Sequence, residues 1–543
     1  MRTCCLVAFV LAGLLGIPRG AGAQPPDHAH GGTPPDTLGT VHMVTTCVPG
    51  VAARFDRGLG LLHSFWFGSA IEEFTAVASA DPECGMAYWG IALSRWGNPF
   101  SGMRSKEGLA EGRAAAATGA RSSRLSPRER AYLAAAAALY EDFEHVDQRT
   151  RTLNYEAAMA SVARGNADDP EAAIFHALAL SQTALPGDKT YKNQLAAGAI
   201  LEPLFAKYPA HPGIAHYIIH AYDVPALAPK ALDAAKRYAR IAPSAPHALH
   251  MPSHTFTRVG EWQASVDTNI ASAKAAHRDR TITEELHAMD YQVYAYLQTG
   301  QDRAALDVVR AAPPLAPAIP ASPANAAPPV AGYFALAAIP ARYALERGQW
   351  EDAAALPPQP TQYLFPDAVT RFARALGAAR AGRPAAAREE LTHLASLRDK
   401  LTAGNDAYWT LQTEIQRQAA EAWVLYAEGR SHEAVAAMKA AAELEDTTEK
   451  SAISPGPLVP VRELLGDLLM AAGQPAEALV AYQASMAREP RRFRGLNGAS
   501  RAAAAAGRID LAGQYRAELM ALCPKADVPG RAELDEVRKA AGR

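Results

Sequence analysis

Two stretches of the chain repeat one another 34 residues apart. GIAHYIIHAYD, residues 213–223, carries His216 and His220, and HALHMPSHTFT, residues 247–257, carries His250 and His254 at the same offsets. A fixed period of this size marks a structural repeat, a unit that cannot bury its apolar face alone and stacks on copies of itself. Turn glycines recur at Gly260, Gly300, Gly348, Gly382, Gly429, Gly473 and Gly507. From about residue 52 the apolar positions fall into helices of about 10–16 residues with short breaks, and strand-like alternation is absent. At 543 residues the chain is too long for one compact core, so a repeat array or several domains is expected.

The repeats share a signature. Residues 465–490 hold Leu465-Gly466, Gly473, Ala478, Tyr482 and Pro490; residues 231–243 hold Ala231, Ala235, Tyr238 and Pro243; residues 58–82 hold Gly58, Ala70, Phe74 and Pro82. This pattern resembles the tetratricopeptide (TPR) repeat, in which small residues let two helices cross closely and a proline ends the second. The resemblance implies an all-α fold, a TPR-like right-handed α-solenoid of roughly ten or more helix-turn-helix units. FDRGLGLLHSFWF, DPECGMAYWGIAL, HYIIHAYD, APHALHMPSHTF and AAAELEDTTEK also resemble a family of exported bacterial repeat proteins with a Cys-containing lead-in. That second resemblance implies no settled activity.

The expected organisation is a signal peptide over residues 1–23, a flexible lead-in over 24–51, an N-terminal TPR block over 52–310, a Pro/Ala linker over 311–331 and a C-terminal TPR block over 332–543. The signal reading rests on Arg2, an apolar run to about Ile17, and Ala21-Gly22-Ala23 before Gln24. It predicts a periplasmic or secreted protein. Residues 311–331, AAPPLAPAIPASPANAAPPVA, cannot continue a helix and read either as a linker or as a loop draped on the surface. In an oxidising compartment Cys47 and Cys84 would pair, pinning the lead-in to the first repeat; otherwise they are two buried thiols, and Cys523 is left over. A net charge of −2 gives no basic field for nucleic acid, and no segment after the signal is apolar enough to span a membrane. Gly-rich phosphate loops, GxSxG and CxxC are absent.

Chemistry concentrates in the histidines. Sixteen in 543 residues would place about 1.3 in a 44-residue window, yet residues 211–254 hold six. Aligned on the repeat, His216 and His250 take position 5 and His220 and His254 position 9, with His247 and His287 at position 2, Asp290 at position 5 and Asp223 at position 12. At 100° per residue these positions share one stripe of the first helix, which the TPR resemblance places on the concave groove. His216, His220, Asp223, His247, His250, His254, His287 and Asp290 are therefore the candidate metal ligands. Neutral imidazoles suit Zn or Cu ahead of Fe, and either aspartate can bind directly or orient a ring. Bound zinc would suit an activated water and a hydrolase, and bound copper either an oxidase or copper handling. The competing readings are packed or duplicated histidines, and a metal-free groove that binds a peptide, protein or small molecule.

Nearby residues get lesser roles. Pro252 breaks the helix carrying His247, His250 and His254. His63 and His176 read as packing, and His211, His277, His393 and His432 as turn or surface residues. Of Tyr217, Tyr222, Tyr291 and Tyr294, only Tyr294 is expected to face the groove. Arg258 either holds an anion or bridges to Glu261. Glu463 and Asp467 form either a second polar groove or a solvated face.

Overall fold

A computed structural model describes residues 37–540, except 103, 186, 323–324 and 359–360. The expected signal peptide over residues 1–23 and residues 24–36 of the lead-in lie outside the described residues. Among those described there is no β-strand. The chain runs as successive helix pairs, from Ala52–His63 with Phe67–Ala80 to Phe493–Ala505 with Ile509–Leu522, followed by Ala532–Ala540. The fold is all-α and TPR-like. None of the described helices is long and apolar enough to cross a membrane.

The recurrent glycines are the hinges of the pairs. All seven from Gly260 to Gly507 have φ between +64° and +82°. The next residue's N–H then closes onto the carbonyl four residues before the glycine, as Glu261 does on Phe256 at 2.8 Å and Gln301 on Tyr296 at 3.0 Å. A side chain would be strained in that left-handed conformation, and glycine is not. The other signature positions set helix spacing. A Cβ at Gly466 would lie 2.6 Å from the Tyr482 ring, so only glycine lets those two helices approach as they do.

Residues 37–540 pack together through contacts remote in sequence. Trp262, Val266 and Tyr294 share a core cluster with Phe493, Leu496 and Leu519. Trp262 Nε1 donates to the Arg491 carbonyl at 2.7 Å, and Arg531 forms an ion pair with Asp302 at 2.7 Å. The last repeats thus return to the Trp262–Arg278 and Ile282–Gln298 helices. The Pro/Ala segment lies against the body: it forms a short 3-10 helix, Pro313–Ala318, and Leu315 and Ile319 pack beside Leu286, Leu297 and Ile339. Its Asn325 accepts from the Gly68 N–H at 3.3 Å, and its Ala326 carbonyl accepts from Asn98 Nδ2 at 2.9 Å. Cys47 and Cys84 form a disulfide, which ties the end of the lead-in to the start of the Gly85–Trp96 helix. Cys523 is free and buried.

Candidate metal centre

Three helical segments carry the histidines. Pro212 opens the Pro212–Ala221 helix, where His216 and His220 lie one turn apart on one face. The second segment is divided at Met251 into Pro246–His250 and Pro252–Val259, as Pro252 requires. Met251 keeps helical angles (φ −52°, ψ −35°), so His250 and His254 stay on one side across the break. The third is Ile282–Gln298, with His287 in its second turn.

These segments gather six histidines into two sets. In the first, His216, His220 and His247 each offer a ring nitrogen within 4.8 Å of the other two; in the second, His250, His254 and His287 do the same. The sets adjoin, with ring centroids 6.0 Å apart for His247 and His250 and 6.1 Å for His220 and His254.

Hydrogen bonds fix which nitrogens remain free. Asn269 spends its amide N–H on the Ser265 carbonyl at 2.7 Å, so its Oδ1, 2.7 Å from His250 Nδ1, must accept. Asp223 Oδ2 likewise accepts from His254 Nδ1 at 2.8 Å. Both rings therefore carry their proton on Nδ1, and their Nε2 lone pairs face one another at 3.1 Å. Such a pair repels unless a cation or a proton stands between them. Tyr291 Oη lies 3.2 Å from His254 Nε2 and also 3.2 Å from the Ser454 carbonyl. His287 hydrogen-bonds the Ile453 backbone and leaves Nδ1 without a partner.

In the first set His216 donates from Nδ1 to the His63 carbonyl at 2.6 Å, leaving Nε2 unpartnered. His220 Nε2 and both His247 nitrogens are unpartnered and buried as well. Phe65 and Phe100 cover this set, Phe100 stacking on His220 at 4.1 Å between centroids. Phe65 has φ +54°, a strained conformation for a large side chain, held where its ring meets His216.

Burial keeps these rings neutral. It pushes His216 and His287 down to about 3, lowers His220, His247 and His250 well below the ordinary histidine value, and lowers His254. Neutral imidazole is the ligating form. Asp223 is the charged anchor. Desolvation works to raise it, but Lys450, Arg258 and His254 prevail and hold it well below the carboxylate range. Lys450 Nζ contacts its Oδ2 at 2.8 Å and Arg258 Nε its Oδ1 at 3.0 Å.

A third group shows what histidines look like without an ion to bind. His63 Nε2 and His211 Nε2 each lie 2.9 Å from a Glu171 oxygen. His63 Nδ1 meets Tyr217 Oη at 3.0 Å, and His211 Nδ1 accepts from the Ile214 N–H at 3.4 Å. Every ring nitrogen there has a partner, so the group is a closed structural network. The contrast is with the unpartnered nitrogens of His216, His220, His247 and His287 and with the opposed Nε2 pair of His250 and His254.

The structure redistributes several expected roles. Asp290 belongs to neither set: Arg342 Nε donates to it at 2.8 Å with both side chains fully buried, so its charge is already met. Asp223 serves as the support of His254. Tyr291, and not Tyr294, reaches the rings; Tyr294 lies beneath the Arg342 and Arg492 guanidiniums. Arg258 pairs with Asp223, while Glu261 faces Arg491 at 3.6 Å. His211 is buried at the start of its helix and not at the surface. Glu463 pairs with Arg492 at 2.8 Å in the interior, which excludes a solvated face there. The concave stripe is also filled: Lys450, Ile453 and Ser454, from the loop after Ser431–Asp446, cover the second set. AAAELEDTTEK ends on Lys450, but nothing in the sequence marks it as the partner of Asp223. Asn269, on the second helix of the same pair as His250, carries no motif at all.

No family model matches the chain, and no curated protein matches it. Solved structures with some likeness include the TPR domain of P58(IPK), at 13% identity and a TM-score of 0.21 over 77% of this chain and 98% of that one. Human IFIT1, in a dimer with m7Gppp-AAAA, gives 11% and 0.34 over 81% and 90%. Yeast Tom70 gives 11% and 0.27 over 91% and 95%. Scores this low carry no argument about function, and the repeat architecture rests on the helix pairs themselves.

Proposed function

We propose that this chain is an exported TPR-like protein that binds a transition metal, zinc or copper, in the two adjoining three-histidine sets. The observation that carries this reading is the set of buried ring nitrogens with no partner, on His216, His220, His247 and His287, together with the Nε2 atoms of His250 and His254 facing one another at 3.1 Å. A buried acceptor left unmet costs about 1–3 kcal/mol, and a bound ion removes that cost for several rings together. The supporting contacts fit the same reading: His216, His250, His254 and His287 each have their other nitrogen held by a carbonyl, an amide or a carboxylate, the arrangement that orients metal-bound histidines.

A second reading is a protein-binding scaffold, and it has its own observation. A cavity of about 420 Å³ in the C-terminal half is lined by Arg347, Trp350, Arg380, Tyr482, Arg494 and Asn497. Glu346, Asp467 and Glu533 line it as well, and Asp467 already pairs with Arg380 and Arg494, so the cavity offers a mixed-charge surface to a polar peptide segment and is compatible with metal binding elsewhere.

The test of the metal reading is elemental mass spectrometry on untagged protein from the exported fraction, beside a His216→Ala/His250→Ala double variant. Wild type should carry at least one equivalent of zinc or copper, and the variant should lose it while keeping its helical circular dichroism. Metal-free wild type whose melting temperature does not rise with added Zn²⁺ or Cu⁺ would sink the reading.

A further inference from the structure

We infer that the two histidine sets form one paired copper centre, whose two cuprous ions bind and reduce a single dioxygen molecule; this rests on the metal reading above. Four features of the site lead there.

The first is the donor count. Each set supplies three imidazoles and no carboxylate or thiolate. Three neutral nitrogens satisfy a cuprous ion, while zinc held by three histidines takes a water as its fourth ligand.

The second is charge. Two zinc ions would bring four positive charges into a buried pocket whose nearest donors bring none. Burial cost rises steeply with charge. Two cuprous ions bring only two.

The third is adjacency. His247 and His250 lie on one turn and belong to different sets, and the His220/His254 edge closes a second seam. Two ions held there would therefore sit side by side, where one small ligand can span them.

The fourth is access. His216, His247, His250, His254 and His287 are at most 7% exposed. The cavity beside His247, bounded by Phe65, Trp66 and Glu284, holds about 10 Å³. That is room for a water-sized molecule. His220 is the one ring of the six that is partly exposed, and a molecule as small as dioxygen suits this enclosure where a peptide or sugar does not.

The step balances within the site. Each cuprous ion gives one electron, dioxygen takes both and becomes peroxide, and the peroxide bridges the two cupric ions. The O–O bond is kept and no proton moves. The centre holds a charge of +2 before and after, so dioxygen binding adds no buried charge.

The experiment loads metal-free protein with a cuprous salt under anaerobic conditions, counts copper per chain, then admits dioxygen while recording absorption and electron paramagnetic resonance. Two coppers per chain are expected, with a new absorption band on oxygenation and cupric resonance well under a tenth of the total copper, because paired spins cancel. His247→Gln and His250→Gln should each keep one copper and lose the band. One copper in wild type, no dioxygen-dependent band, or full-intensity cupric resonance would overturn the pairing while leaving single-ion binding intact. Failure to take up any copper or zinc would instead overturn the metal reading itself, and the pairing with it.

Discussion

The neutrality of the buried rings can be tested without any metal. His216 and His287 are held at about 3 in the folded chain, against 6.5 when unfolded. Below pH 6.5 the unfolded chain takes up a proton at each ring that the folded chain refuses, so these rings make stability fall as pH drops from 6.5 toward 3. One pH unit corresponds to about 1.36 kcal/mol per ring. At pH 5 each ring is 1.5 units below its unfolded value, giving about 2 kcal/mol per ring and about 4 kcal/mol for the two. Two carboxyls act in the opposite sense. Burial raises Glu284 to about 7 and Glu445 to about 8, and each stabilises the fold as pH drops toward its unfolded value near 4.5. The curve for the whole protein is therefore flattened, and a His216→Gln/His287→Gln variant isolates the rings. Urea unfolding of metal-free wild type and variant at pH 7 and pH 5 should show their stability difference moving by about 4 kcal/mol in the variant's favour at the lower pH. A difference that stays constant within about 1 kcal/mol would refute the claim that these rings are buried and neutral.

Asp223→Ala leaves Lys450 buried without its ion-pair partner, while Arg258 keeps Glu449 and Glu489 at 3.7 Å, so it should destabilise by about 3–5 kcal/mol in chemical unfolding. It also frees His254 to rotate, and metal affinity by competitive titration should fall about 10–100-fold. Cys47→Ser opens a disulfide between residues 37 apart and should cost about 2–5 kcal/mol, a loss that reductant reproduces in wild type and cannot add to in the variant. Gly466→Ala drives a methyl group into the Tyr482 ring and should cost about 1–3 kcal/mol by thermal unfolding, with Gly473→Ala acting instead through its φ of +74°.

The repeat framework was readable because its determinants are local. A turn glycine, a small residue facing an aromatic ring and a closing proline each act within one helix pair, and all seven turn glycines adopt the conformation their spacing predicts. The six clustered histidines were readable for the same reason, since one helix period carries them to one face. What supports them was not. Asn269 reaches His250 from the other helix of its own pair, and Lys450 reaches Asp223 from a distant repeat; neither contact leaves a period in the sequence. Asp290 shows the converse: its position in the repeat is right for the stripe, but Arg342, 52 residues further on, claims its carboxylate.

The cover over the second set also gives the site an order of assembly. Every donor lies between residues 216 and 287, in repeats that leave the ribosome first, while Lys450, Ile453 and Ser454 arrive with the last repeats and close over rings already in place. An unfinished chain presents its histidines to whatever ion surrounds it; a finished one has shut them in. On the metal reading proposed above, exchange from the completed protein would wait on this cover lifting away, so a bound ion would record the surroundings in which the chain folded.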